Sequence, residues 1–308
     1  MINRVLIRTK VVQLLYSYLL TKDETSLKDA RESLNRSLDE GYLLYHAIFA
    51  MIIDLTSMQD LKLDYEKNKY LPSEEDLNPN IRFVDNEFVK SLVKNIDLKN
   101  YLKDYPISWK DEVAMHIILN RITSSQLYED YMNLSATDYT TDALFWRDVL
   151  RKIVFEDDDF VEFIESKSIF WNDDLPTVGA FVCKTIKKWA EGGKQELLPM
   201  YKDKEDSEFA AELFNYVVVN HAEYDELINS CINTESWDIN RVAFMDRVIL
   251  LTAVAEFMNY PKVPSSVTLN EYIELAKEYG SPKSGIFVNG VLDALFKKLK
   301  SLKNIIKE

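Results

Sequence analysis

Seven Gly and eight Pro in 308 residues leave this chain few places to turn. A sheet protein of that length needs turn signals roughly every 8–12 residues, and Gly and Pro supply most of them. Leu, Lys, Glu and Asp dominate instead, and hydrophobic residues make up 47% of the chain, enough for a sizeable core. The spacing of apolar residues agrees. Ile7, Val11, Leu14, Leu15 and Tyr18 recur at helical intervals in the first segment, Asn3 to Leu20. The expected fold class is all-α.

Breaks in the pattern divide the chain. A second helical stretch is predicted from Ser26 to Leu63, followed by "NKYLPSEEDLNPNIRF", whose polar residues and prolines read as a loop. Further helices are predicted from Glu87 to about Ala190, broken at Pro106 and Pro176, before "AEGGKQELLP" marks another boundary. Three parts follow: 1–66, 67–205 and 206–308. Trp109, Trp171 and Trp237 recur about every 60 residues among similar aromatic steps, which fits either an old duplication or three Trp anchors of helix hairpins. "TLNEYIELAKEYG" is predicted to open on a capping box, Thr268 with Glu271, and to stop at Gly280.

Charge is unevenly spread. The net charge is -14, which argues against a nucleic-acid partner for the molecule as a whole. Yet residues 1–20 carry Arg4, Arg8 and Lys10 with no acid, and residues 294–308 carry five Lys and one Glu. Arg4 and Arg8 sit at the start of a helix, the end whose dipole repels cations, so an anionic partner is attractive there; the plainer reading is a solvated face.

Chemistry-bearing constellations are sparse. Cys183 and Cys231 have neither metal-ligand nor redox spacing and fit buried thiols in a reducing compartment. His46, His116 and His221 are far apart, and "EDDD" at 156–159 lacks the histidine or glycine turn of a metal loop, so it reads as an acidic face or helix start. There is no glycine-rich strand-to-helix turn for a nucleotide. No catalytic residue, metal or cofactor is expected. The apolar run "AIFAMII" is too short to span a bilayer, and Arg8 and Lys10 interrupt the N-terminal apolar residues, so a cytoplasmic protein without a membrane is expected.

The segment "SPKSGIFVNGVLDAL", 281–295, carries Asn289 and Gly290 inside an apolar stripe. Gly is costly within a helix, so Gly290 is expected to mark a close helix contact that Asn289 ties together. Ser284 reads as the N-cap, and Lys283 beside it makes a cationic helix mouth able to take one phosphate. Phe287 reads either as core or as a ring on which a base stacks.

Together, "NEYIELAKEYGSPKSGIFVNGVLD", "DRVILLTAVAE" and "RTKVVQLLYSY" resemble the NusB family of transcription antitermination factors, over about residues 1–60 and 206–300. The acidic stretch between resembles an insertion. The resemblance implies two packed helical bundles, no catalysis, pairing with the ribosomal protein NusE, and binding of boxA-type single-stranded RNA beside an RNA polymerase elongation complex. It implies an RNA-facing set of Arg4, Arg8, Lys10, Gln13, Lys283, Ser284, Phe287 and Asn289, and a partner-facing pair, Tyr16 and Asp246. Val5, Leu6 and Leu251 stand where the family carries basic residues, and Lys283 where an acidic residue is familiar. A protein-only adaptor that uses its acidic insertion to dock a basic partner is the alternative, and self-association is left open.

Overall fold

The computed structural model describes residues 1–232 and 242–301. Among them, fourteen α-helices and no strand are present. They run α1 (Arg4–Leu20), α2 (Leu27–Lys67), α3 (Glu74–Leu77), α4 (Glu87–Lys94), α5 (Ile96–Asp104), α6 (Val113–Thr123) and α7 (Gln126–Met132). The second half has α8 (Tyr139–Val149), α9 (Asp158–Lys167), α10 (Leu175–Ala190), α11 (Lys204–Asn229), α12 (Phe244–Asn259), α13 (Ser265–Tyr279) and α14 (Ser284–Ser301).

The helix ends obey local chemistry. The side chains of Asn3, Ser73, Asn95, Asp138 and Asp157 each accept a backbone N–H three residues on, which satisfies an otherwise orphaned donor. Asn95 ends α4 and starts α5, so one residue makes the corner between them. The "EDDD" run is such a helix start: Asp157 caps α9, and Arg121 pairs with Asp157 and Asp159. Pro176 lies in the first turn of α10, where its missing N–H costs nothing, so it begins a helix instead of breaking one.

Two compact units emerge, one of Met1 with Asp39–Met200, the other of Ile2–Leu38 with residues 201–308. The boundaries read from the sequence, after 66 and after 205, differ because the polar loop after residue 67 is a poor guide: α2 runs unbroken past residue 38.

In the first unit the later part of α2 is the axis. Trp109 Nε1 donates to Ala47 O and Trp171 Nε1 to Glu40 O, both at 2.9 Å, so two buried indoles grip carbonyls two turns apart on one helix. Their rings lie 6.4 Å apart. Trp237, the third of the spaced set, lies outside the described residues. One stretch of α2 is long and apolar enough to cross a membrane by length and composition, and 72% of it is buried, as for a core helix. His46 lies on α2 with its ring buried and stacked on Tyr101 at 3.6 Å, and with Nδ1 2.9 Å from Tyr42 O. Burial lowers its pKa to about 4.

In the second unit α12 is the axis. Val248 to Phe257 are buried on every side, which suits a helix enclosed by others, and α1, α11, α13 and α14 pack around it.

Candidate nucleic-acid and partner interface

α1 brings Arg4, Arg8, Lys10, Gln13 and Tyr16 into the second unit on a helix whose apolar stripe, Ile7, Val11 and Leu15, is wholly buried. What surrounds that stripe decides the fate of the cations. Arg4 Nε lies 2.8 Å from Asp206 Oδ1 and Nη2 3.8 Å from Glu205 Oε2, both acids in the first turn of α11. Its guanidinium carbon sits 4.9 Å from the centre of the Phe209 ring, a cation–π distance.

Arg8 goes deeper. It is 2% exposed and makes a two-pronged pair with Glu256 on α12, Nε to Oε2 at 2.7 Å and Nη2 to Oε1 at 2.9 Å. Thr268 Oγ1 donates to Glu256 Oε1 at 2.7 Å, and the fully buried Tyr272 hydroxyl to Oε2 at 3.1 Å. Four donors from two helices, α1 and α13, thus satisfy one buried carboxylate on α12. Burial works against the charge on Arg8, and the hydrogen-bonded carboxylate outweighs it, leaving the guanidinium above its ordinary value. Burial and the same carboxylate push the Tyr272 phenol far up, so it stays protonated and keeps donating.

This network replaces two expectations. Arg8 is a core residue of the unit, not part of a surface. Thr268 is not the N-cap: α13 begins at Ser265, a turn earlier, and the Thr268 side chain turns inward to Glu256. Lys10, at 1% exposure, is likewise enclosed.

The start of α14 also departs from expectation. Ser284 is the first residue of the helix and is 1% exposed. Its hydroxyl donates to Asp246 Oδ2 at 2.9 Å and accepts from the Ser281 N–H at 2.8 Å, so it braces the α13–α14 turn against α12 and leaves the helix mouth. Asp246 is 5% exposed, its Oδ1 has no hydrogen-bond partner among the described residues, and burial raises its pKa against the opposing Ser284 bond. Phe287 is 3% exposed and belongs to the core. Asn289 and Gly290 face outward, and a methyl group built on Gly290 would meet nothing within 4 Å among the described residues, so no seam between described helices passes there. In this region the tightest glycine is Gly280, which ends α13: a Cβ there would overlap Ser284 Cβ and come within 2.5 Å of Ala276 O.

Some of the expected residues do remain accessible. Lys283 and Asn289 are exposed, and Gln13 Nε2 donates to the Tyr279 hydroxyl at 3.2 Å, joining α1 to the end of α13. Asn289 lies on an open groove of about 430 Å³ lined by Ile273, Lys277, Ser281, Pro282, Gly285 and Ile286. Ile286 is 73% exposed, and Gly285 lies so close to Lys277 that a Cβ would come within 2.8 Å of Lys277 Cγ. Lys277 and Ile286 were not singled out in the sequence; the four-residue step from Ile273 to Lys277 on an outward face was the available signal. On the partner-facing side, the half-buried Tyr16 ring lies 5.2 Å from Phe244 at the start of α12. Leu251, where the family is basic, is buried.

Comparison with known proteins accords with this unit. The NusB family profile matches residues 184–297, beginning earlier than residue 206. The transcription antitermination protein NusB of Salinibacter ruber is 39% identical over 98 residues, covering 32% of this chain and 60% of that protein. That of Koribacter versatilis is 41% identical over 97 residues, 32% and 65% of the two chains. The match to these two therefore spans about three fifths of their length. NusB of Desulforapulum autotrophicum is 34% identical over 122 residues, 37% of this chain and 81% of that protein. No solved structure matches. With four fifths of that last relative matched at this identity, the chain belongs to the NusB family.

Proposed function

We propose that this protein is a cytoplasmic transcription antitermination factor that catalyses no reaction, pairs with NusE and binds boxA-type RNA beside RNA polymerase. The relatives' name, transcription antitermination protein, supports the activity. The observation that carries the RNA reading is the exposed rim of Lys277, Lys283 and Asn289 at the α13–α14 turn, inside the stretch that the family profile matches. Arg4 and Gln13 are the α1 residues assigned to the same RNA. NusE is assigned to the side of α1 that carries the half-buried Tyr16, while Asp246, expected beside it, is buried under Ser284 and offers no surface to a partner. Phosphate contacts by the two exposed lysines would make binding salt-dependent, and the outward Asn289 amide offers both a donor and an acceptor to a base edge.

The test is fluorescence anisotropy with a boxA RNA and a scrambled RNA, each with and without NusE. Selective binding that weakens with salt and drops at least several-fold in Lys277→Glu/Lys283→Glu supports the proposal. Absence of boxA selectivity with NusE present sinks it.

One observation favours the adaptor reading: Arg4 and Arg8 already have carboxylate partners within the fold. On that reading NusE still pairs with the chain, RNA adds nothing to the complex, and the lysine reversals are silent.

A further inference from the structure

The unit formed by residues 39–200 contains 30 Asp and Glu against 18 Lys and Arg. One part of its surface inverts that balance. α8 continues into a π-helical turn, Leu150–Val154, that carries Arg151 and Lys152, and both α8 and this turn pack against α10. α10 has Lys184, Lys187 and Lys188 and no acid anywhere along its length. The junction is tight: the Phe155 ring occupies the space a side chain at Gly179 would need. Cys183 on α10 reaches the Arg147 carbonyl at 4.0 Å, and Arg147 and Arg151 are both near enough to act electrostatically on its thiol. The arginines of one helix and the lysines of the other therefore flank a single seam.

Most of this charge is available. Arg151, Lys152, Lys184, Lys187 and Lys188 are all exposed. Asp148 is engaged by Arg147 and Lys152, and Glu191 lies 3.7 Å from Lys187. Among the described residues no carboxylate pairs with Arg151, Lys184 or Lys188. Lys184 is spaced i, i+3 from Lys187 and i, i+4 from Lys188, which puts the three ammonium groups on one helix face.

We infer that the α8–α10 seam is a second RNA-binding surface, which holds the phosphate backbone of single-stranded RNA without reading its sequence. Two features favour RNA over an acidic protein segment. No large apolar side chain is exposed on α8, the π turn or α10, so the anchors that centre protein interfaces are missing there. Nucleic acid also releases condensed counterions when lysines and arginines neutralise its phosphates, a gain that lets a local basic face bind it despite an acidic body. An acidic peptide has a lower charge density and no comparable layer to release.

The experiment compares the full chain with Arg151→Gln/Lys184→Gln/Lys187→Gln/Lys188→Gln, using a single-stranded RNA of about 30 nucleotides that lacks boxA. Affinity is measured against salt, with polyglutamate as competitor. All four side chains are exposed, and circular dichroism checks that the variant is folded. The expected result is a fall of about 3 in the slope of log K against log salt, at about 0.7 per phosphate contact. Photo-crosslinks from 4-thiouridine RNA to the α10 peptide should disappear in the variant. An unchanged slope overturns the inference, as does polyglutamate binding that needs the four cations while RNA binding does not. Loss of boxA selectivity or of NusE pairing would remove the proposed function and leave this result standing, because the RNA used here carries no boxA.

Discussion

Arg8 and Glu256 are 248 positions apart in the chain and meet in a two-pronged, fully enclosed ion pair. Two helices distant in sequence are thereby fixed in register, α1 against α12, with α13 held to the same carboxylate through Thr268 and Tyr272. Removing one member leaves the other charge buried without its partner. Arg8→Met is expected to cost about 3–5 kcal/mol in urea unfolding, whereas Arg8→Met/Glu256→Met should recover much of that loss. Equal losses in the single and double variants would mean that the pair is not what holds these helices.

Ser284 is expected to act as a brace. Ser284→Ala leaves both oxygens of Asp246 without a partner among the described residues and should destabilise the fold by about 1–3 kcal/mol, measured by denaturant unfolding. Ser284→Ala/Asp246→Leu removes the buried acid as well and should regain part of the loss. If Ser284 instead served as a surface anion ligand, the single variant would lose RNA affinity at unchanged stability.

Two glycines should respond in opposite directions. Gly290→Ala meets open space within a helix and is expected to stabilise by about 0.5–1 kcal/mol by restricting the unfolded chain. Gly280→Ala drives a methyl group into Ser284 and the Ala276 carbonyl and should lower the melting temperature. A close helix contact at Gly290 would reverse the first sign.

Acid sensitivity should trace partly to His46. Its pKa is near 4 in the fold, against about 6.5 in an unfolded chain, so between those pH values the unfolded state binds the extra proton. Its contribution is intact above pH 6.5 and is lost as pH falls toward 4. The loss from pH 7.5 to pH 5 is about 2 kcal/mol by that difference. Urea unfolding at the two pH values should show a smaller gap in His46→Phe than in the parent chain.

The sequence by itself determined the helical class, the family and many local devices. Scarce Gly and Pro leave little but helix, Gly280 does end α13, and Asp157 does open α9, because capping and turning depend on residues within a few positions of one another. The phrases around 270–295 carried the family because they are long and ungapped. What the tertiary structure decided was the use of each polar side chain. Arg8 and Lys283 look alike as cations near helix starts, yet one is sealed against a carboxylate on α12 and the other faces water. Gly290 looked like a seam and is open, while Ser284 looked like a cap and is a buried brace. A helix period tells which residues share a face; it does not tell what that face meets. Burial and ion pairing are set by partners tens to hundreds of residues away, and only the folded chain brings them together.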